Sequence, residues 1–274
     1  MSENFPAQDL TKQTIVYKIA GIDDVIVRRD MEYSASDTGS LKMDIYYPPD
    51  TKFTDPMPVV IFVIGYPGAG FLKIFGCEQK EMMSYVSWAK LVAASGIAAL
   101  VYNNREPVAD LDLLLRYVRQ NADEFGINKD RMGLWACSGS VPIALSLLMK
   151  SDSEYLKCAV FLYGAMLDLD GSTGIAESAV TWGFANPCAG KSIEDISPDV
   201  PLFIARAGRD HTPHLNDSID RFVARAIRSN LPLTFVNHAS GPHWFDAMDD
   251  SDASREVIKQ ILAFMRFYLL ESLR

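Results

Sequence analysis

The sequence predicts an α/β protein built on a mostly parallel sheet with helices on both faces. Three observations predict it. Val59-Val60-Ile61-Phe62-Val63-Ile64 is an unbroken apolar run, the pattern of a strand buried on both faces. Beyond it, strand-like runs alternate with helical ones, and Leu111, Leu114, Leu115 and Val118 show the i, i+3, i+4, i+7 spacing of an amphipathic helix. Finally, Arg131-Met132-Gly133-Leu134-Trp135-Ala136-Cys137-Ser138-Gly139-Ser140 runs as an apolar strand into small residues, then directly into a helix pattern carried by Val141, Ile143, Ala144, Leu145, Leu147 and Leu148. Strand–helix alternation of this kind implies parallel pairing.

The elements follow in order. Thr14 to Ile19, Val25 to Ser34 and Leu41 to Tyr47 are β-rich and separated by Gly21, Asp23, Asp37 and Gly39, which predicts an antiparallel start. Pro48, Pro49, Pro56 and Pro58 mark a loop before the run at Val59. A helix is expected from Gln79 to Ala94, a strand from Ile97 to Tyr102, then the helix around Leu111 and the strand Met132 to Cys137. Strands Cys158 to Tyr163 and Pro201 to Ala207, a helix Leu215 to Arg228 and a strand Leu231 to Val236 come next. The last helix starts near Ser251 and carries Ile258, Ile261, Leu262, Met265 and Leu269. No repeat, low-complexity tract or linker divides the chain, so residues 1–274 are read as one domain. Met166 to Val200 breaks the alternation; it is rich in Gly, Ser and Ala and holds Trp182, Phe184 and Pro187. It reads either as a small lid over a site at the strand ends or as a surface excursion with a short helix.

Composition narrows the function classes. In 274 residues the apolar share is 49% and the formal net charge is -9, with a pI near 5.0 and a mean hydropathy of +0.04. A sizeable core is therefore expected, and nucleic acid or an anionic membrane surface is not an expected partner. The four cysteines, Cys77, Cys137, Cys158 and Cys188, are scattered without a C-x-x-C pair, and no histidine stands at metal-ligand spacing from them. No cofactor or metal is expected. No apolar run is long enough to span a membrane, and Met1 to Leu10 lacks the charged-then-apolar order of a signal peptide. The expectation is a cytoplasmic protein from a reducing compartment; its oligomeric state has no sequence signal.

The chemistry starts at Ser138. A serine at a tight strand-to-helix turn is exposed for reaction, and its small neighbours keep side chains out of the adjoining strand and helix. The usual pattern is G-x-S-x-G; here alanine and serine, at Ala136 and Ser140, replace the outer glycines. A hydroxyl is a poor nucleophile at neutral pH and needs a base, itself oriented by an acid. His211, His214, His238 and His243 are the whole choice. His243, in Ser240-Gly241-Pro242-His243-Trp244-Phe245-Asp246, leaves the carboxyl end of a predicted strand, the sheet edge where Ser138 also lies. His238, near the end of that strand, is the reserve. For the acid, Asp210 ends the turn Ala207-Gly208-Arg209-Asp210, and Asp168 and Asp170 are alternatives. Ser138, Asp210 and His243 stand in the chain order Ser…Asp…His. The oxyanion would take the amides of Gly139, at a helix N-terminus, and of Tyr66, since Pro67 has none. Phe71, Phe75, Trp182, Phe184 and Trp244 are candidate pocket walls, and Cys137 points away from the nucleophile position.

With these residues placed, the chain resembles the α/β-hydrolase superfamily, most of all its dienelactone-hydrolase-like and acetyl-esterase-like serine hydrolases. Val59 to Gly70, Asp110 to Met149, Pro201 to Pro213 and Asn237 to Asp246 carry the resemblance. It implies an eight-stranded, mainly parallel sheet and a Ser-His-Asp triad on Ser138, His243 and Asp210, acting on small-molecule carboxylic esters. Two departures stand out: Ile64-Gly65-Tyr66 replaces a His-Gly-Gly pattern, and the nucleophile turn lacks both glycines. A non-catalytic binding protein on this fold, or acyl transfer, thioester cleavage or peptide hydrolysis on the same triad, are the alternatives.

Overall fold

The strands that the sequence marks as unbroken apolar runs form the middle of one sheet. The computed structural model describes residues 10–36, 39–53 and 55–271; the polar stretch 1–9 and the turn residue Asp37 lie outside them. Its strands are β1 (Ile26–Ser36), β2 (Gly39–Tyr47), β3 (Met57–Phe62), β4 (Ala98–Tyr102), β5 (Ile127–Cys137), β6 (Leu156–Leu162), β7 (Leu202–Ala207) and β8 (Leu233–His238). They form an eight-stranded sheet in the order β1-β2-β4-β3-β5-β6-β7-β8. β1 and β2 pair antiparallel and β2 meets β4 antiparallel, while every pair from β4 to β8 is parallel. The expected antiparallel start and mainly parallel body are both present. Val59 to Phe62 and Ala98 to Tyr102 are fully buried, as central strands covered by helices on both faces must be.

The helices are α1 (Gly68–Phe75), α2 (Met83–Ala94), α3 (Pro107–Gln120), α4 (Ala122–Phe125), α5 (Val141–Leu148), α6 (Gly174–Trp182), α7 (Leu215–Arg228), α8 (Phe245–Met248) and α9 (Asp252–Arg266). α3 buries Leu111, Leu114, Leu115 and Val118, the stripe its spacing announces. Ser251 precedes α9 as its N-terminal cap, its hydroxyl accepting the Ser254 amide. Among the described residues no helix is long and apolar enough to cross a membrane.

Three local expectations are corrected and one element is added. Thr14 to Ile19 is no strand: the Ile15 amide donates to Ser87 Oγ at 3.0 Å and the Val16 amide to the Asp246 carbonyl at 2.8 Å, so its polar backbone is spent on a helix and a loop. The helix expected from Gln79 is two elements, a single 3₁₀ turn at Gln79–Glu81 and then α2, because Met82 takes an extended conformation (φ -57°, ψ 131°) between them. A short helix with no counterpart among the expected elements, α1, starts at Gly68. α9 stops at Arg266, and Leu269 lies in a wider π turn, Phe267–Glu271.

The 3₁₀ turn is held by a buried charge. Lys80 Nζ reaches Asp44 Oδ1 at 3.3 Å and Asp30 Oδ1 at 3.1 Å, tying the turn to β2 and β1. The side chains of Lys80 and Asp44 are 6% and 4% exposed. Burial works against the charged lysine, but the Asp44 and Asp30 carboxylates outweigh it and raise its pKa. Removing the cation would leave Asp44 buried without it. Lys80→Met is therefore expected to lower the unfolding free energy by about 3–5 kcal/mol in urea titration; a loss under about 1 kcal/mol would show the pair to be dispensable.

Candidate active site

β5 delivers Ser138. The strand ends at Cys137, Ser138 turns into the left-handed region at φ +50°, and Ser138–Ser140 make one 3₁₀ turn before α5. A non-glycine residue there costs about 1–3 kcal/mol and persists where the surroundings enforce it. They do so here through Gly65: a Cβ at that position would stand 2.3 Å from the Gly139 carbonyl oxygen and 2.5 Å from Ser140 Cα. The loop after β3 is thus pressed against the Ser138 turn, and only a glycine fits between them. Ser140, one of the two departures from the glycine pattern, completes the contact, because its Oγ accepts the Gly65 amide at 3.0 Å. Pro142 occupies the first turn of α5, where its missing N–H is not needed.

β7 and β8 deliver the other two groups. Asp210 is buried; its Oδ1 accepts the Thr212 amide at 2.9 Å and its Oδ2 lies 2.6 Å from His243 Nδ1. Burial raises the pKa of this carboxyl, but the hydrogen bond and charge of His243, with Thr212, outweigh it and hold it below the ordinary value. The acid turn and the histidine loop are tied together by their backbones. The Gly208 amide donates to the His238 carbonyl and the Arg209 amide to the Gly241 carbonyl, both at 2.9 Å. Trp244, at φ +59°, turns the chain from His243 into α8. Among the described residues no hydrogen bond joins Ser138 to His243; the imidazole is bonded on its Asp210 side, with Tyr163 packed on its ring at 4.7 Å between centroids.

The other sequence candidates are engaged elsewhere. His238 is buried, with Nε2 2.8 Å from Ser254 Oγ and 3.3 Å from Asp249 Oδ2. Asp168 accepts the Ile175 and Ala176 amides at the start of α6, both at 2.8 Å. Asp170 pairs with Arg225 at 3.0 Å on the surface. His214 packs its ring against Gly174. Tyr66 is present with more than its amide: its hydroxyl faces Ser138 and would lie 2.8 Å from a Cβ on Gly139. Burial, and then the neighbouring Cys137, push that phenol's pKa up, so it stays a donor.

A cavity of about 60 Å³ opens beside Ser138. Phe71, Phe75 and Trp244 line it as expected; Trp182 and Phe184 do not, although Phe184 packs edge-on against Tyr66 at 6.1 Å. Cys137 lines it too, but burial, followed by the nearby Asp246 carboxyl, pushes its thiol up to about 12, so it is a neutral wall. Met166 to Val200 contributes α6 and a short 3₁₀ turn, and the Ala185 amide ties it to the Gly65 carbonyl at 2.9 Å.

Sequence reasoning missed a buried polar cluster behind the site. Asp246 accepts the Trp88 indole N–H at 2.6 Å and the Tyr163 hydroxyl at 2.7 Å. Its burial outweighs both bonds and raises its pKa. Trp88, Tyr163 and Asp246 sit on three separate elements, and no spacing pattern links them; the one sequence signal was that Asp246 shares a loop with His243. Among the described residues no cluster of His, Cys, Asp or Glu could hold a metal ion.

No family model matches the chain, and no curated protein matches it in sequence. Solved structures do match it. A bacterial heroin esterase is 14% identical over 93% of this chain and 87% of its own, with a TM-score of 0.67. Esterase Est22 is 20% identical over 95% and 86%, also with a TM-score of 0.67. The esterase Est2 of the planctomycete Thermogutta terrifontis is 18% identical over 92% and 96%, with a TM-score of 0.63. The chain has the α/β-hydrolase fold. Within that fold, the tight seat of the Ser138 turn can be tested on stability alone. Gly65→Ala is expected to cost about 1–3 kcal/mol, as overpacking does. Gly70→Ala meets nothing within 4 Å, and lies inside α1, where it is expected to be neutral or to stabilise by up to ~1 kcal/mol. Equal midpoints for the two variants in urea would refute the close approach.

Proposed function

We propose that this α/β-hydrolase-fold chain is a serine esterase that works through an acyl-enzyme. One observation carries the reading: Ser138 stands strained at φ +50° on the sheet edge where Asp210 and His243 are held 2.6 Å apart. Structural ion pairs need no strained serine beside them, and a strained turn needs no buried carboxylate–imidazole pair. The esterase names of the structural neighbours support the same class, and esterase 2 of Thermogutta terrifontis takes a phosphoryl group from paraoxon.

The steps follow from the atoms. His243 Nδ1 is bonded to Asp210, which leaves Nε2 to accept the Ser138 hydroxyl proton as Oγ bonds to the ester carbonyl carbon. The tetrahedral oxyanion lies before the Gly139 and Tyr66 amides, and the Tyr66 hydroxyl, facing Ser138, adds a further donor. Collapse breaks the bond to the alcohol, which leaves with the proton from Nε2. Water, deprotonated by the same nitrogen, then releases the acid and restores Ser138. Asp210 holds the imidazole tautomer and balances its charge while it carries the proton.

Paraoxon is expected to label one serine, Ser138, by peptide mass, and Ser138→Ala to lose labelling together with on the order of 10⁴-fold or more in turnover. Labelling elsewhere, or an active Ser138→Ala, would remove the mechanism. A wrong imidazole tautomer costs about 10⁴-fold in a serine protease, so Asp210→Asn should approach that loss. Asp168→Asn should act on the start of α6 and leave kcat within a few-fold. Tyr66→Phe keeps the amide and loses the hydroxyl; a drop in kcat of about 10-fold or more, with KM little changed, is expected of an oxyanion donor. An unchanged kcat would confine Tyr66 to its amide.

A further inference from the structure

The hydrogen bond to Asp210 holds His243 at one atom only. Nδ1 lies 2.6 Å from Asp210 Oδ2, and the side chain is 23% exposed, so the imidazole is not enclosed. A bond at one nitrogen fixes that atom and leaves the ring free to tilt about it. Two aromatic rings lie against the imidazole. Trp244, at 5.4 Å between centroids, is its chain neighbour and belongs to the same loop. Tyr163, at 4.7 Å, comes from outside that loop, at the end of β6. Tyr163 is itself buried and fastened in three ways. Its hydroxyl donates to Asp246 Oδ1 and its amide to the Ala205 carbonyl, both at 2.7 Å, and Phe245 meets its ring edge-on at 5.6 Å. Asp246 is in turn held by the Trp88 indole N–H at 2.6 Å.

The same segment also holds the serine. The Ala165 amide donates to the Ser138 carbonyl at 3.1 Å. Between Tyr163 and Ala165, Gly164 lies against α5: a Cβ there would stand 2.4 Å from Val141 Cγ2. The imidazole and the serine backbone are thus gripped by residues two apart in one chain. Two residue steps span at most about 7 Å, so the segment cannot lengthen to let the two drift apart. Tyr163 also takes φ +36°, in the left-handed region that bulky side chains avoid. Strain of this kind persists where the surroundings enforce it, and it clusters at functional sites. Among the described residues no hydrogen bond joins Ser138 to His243, so their relative placement rests on what each is fastened to.

We propose that Tyr163, Gly164 and Ala165 form a spacer that sets the imidazole of His243 against Ser138, with Tyr163 as a positioning residue for the base. Asp210 fixes where Nδ1 lies, and the Tyr163 ring fixes the plane in which Nε2 points. The role in catalysis rests on the esterase reading above; the hold on the imidazole does not. Tyr163 also lines the cavity beside Ser138, so the test has to separate positioning of the base from contact with substrate.

Three variants of the full-length protein are compared with the wild type. Tyr163→Met fills the space without a ring, and Tyr163→Asn removes the ring with a residue that tolerates positive φ. Tyr163→Phe keeps the ring and loses only its anchor on Asp246. With 4-nitrophenyl acetate, propanoate and butanoate, kcat should fall by about 100-fold in the two ringless variants, the cost of a misplaced catalytic group. In Tyr163→Phe it should fall by about 3–10-fold, the size of one hydrogen bond. A positioning role predicts the same factor for all three acyl chains, within about 3-fold. A loss that vanishes as the acyl chain lengthens, or that lies in KM with kcat unchanged, would make Tyr163 a pocket wall and overturn the proposal. The second readout needs no turnover. The NMR order parameter of the His243 Cε1–H bond, assigned by its loss in His243→Gln, should be near ~0.85 in the wild type and under about 0.6 in the ringless variants, with Tyr163→Phe between. An order parameter equal in wild type and ringless variants would overturn the proposal. Should no ester be turned over, the esterase reading fails, and the order parameter alone decides the hold on the imidazole. Should neither ringless variant unfold cooperatively in urea, Tyr163→Phe decides: it must lie below the wild type in both kcat and order parameter, and equality in either would overturn the proposal.

Discussion

The approach of the loop after β3 to the turn after β5 is the constraint on which the site depends. Backbone meets backbone there with no room for a Cβ on Gly65. That contact explains why a non-glycine residue at Ser138 can hold φ +50°. The strain is confined to one residue and is offset by packing on both sides and by the Gly65 amide bonded to Ser140 Oγ. It also explains how the G-x-S-x-G pattern can lose its outer glycines. The space they would leave is taken by Ala136, buried in β5, and by a serine that becomes part of the seam. The same contact brings Tyr66, one residue after Gly65, over Ser138.

Rigidity around the site comes from polar groups buried in pairs rather than from apolar packing alone. Trp88 on α2, Tyr163 after β6 and Asp246 in α8 meet in one cluster, so a helix, a strand end and the histidine's own loop are locked together. The Asp246 carbonyl also holds the Val16 amide, which brings the N-terminal strap into the same lock. Lys80 plays the matching part at the other wall, where it fastens the turn before α2 to the antiparallel strands. Such fully satisfied networks specify one arrangement more sharply than apolar contacts, since any slip leaves a buried group unpaired.

How much of this is legible in the sequence follows from what each residue answers to. The parallel strands are legible because burial on both faces removes every polar interruption, as in Val59 to Phe62. Ser138, Asp210 and His243 can be collected from a linear chain because each follows a strand, and parallel strands end on one side. Thr14 to Ile19 misleads because β-propensity reports fitness for a half-buried surface, and here that surface is supplied by α2 and the Asp246 loop instead of a neighbouring strand. α1 is hidden by its own glycines: Gly68 is needed where the backbone comes within contact of the Asn104 carbonyl, so packing overrides propensity. The Tyr66 hydroxyl and the Trp88–Asp246–Tyr163 cluster are invisible for a different reason. Their partners lie on separate elements, and neither periodicity nor a short motif encodes a meeting of that kind.

Two aspartates flank the imidazole region, and the fold treats them in opposite ways. Asp210 and Asp246 are both buried, and burial favours the neutral acid in each. What separates them is the partner. Asp210 faces His243 directly at 2.6 Å, a group that can carry positive charge, and its pKa falls. Asp246 faces two neutral donors, with Tyr163 between it and the imidazole, and its pKa rises. Environments that push paired carboxyls apart assign them different tasks. One carboxylate stays charged beside the imidazole and can balance a proton arriving there. The other is shifted by burial toward its neutral form, and the Tyr163 ring lies against the imidazole while its hydroxyl is bonded to that carboxyl. The order Trp88, Asp246, Tyr163, His243, Asp210 thus runs from neutral donors to an acid whose pKa is held low by the imidazole it faces.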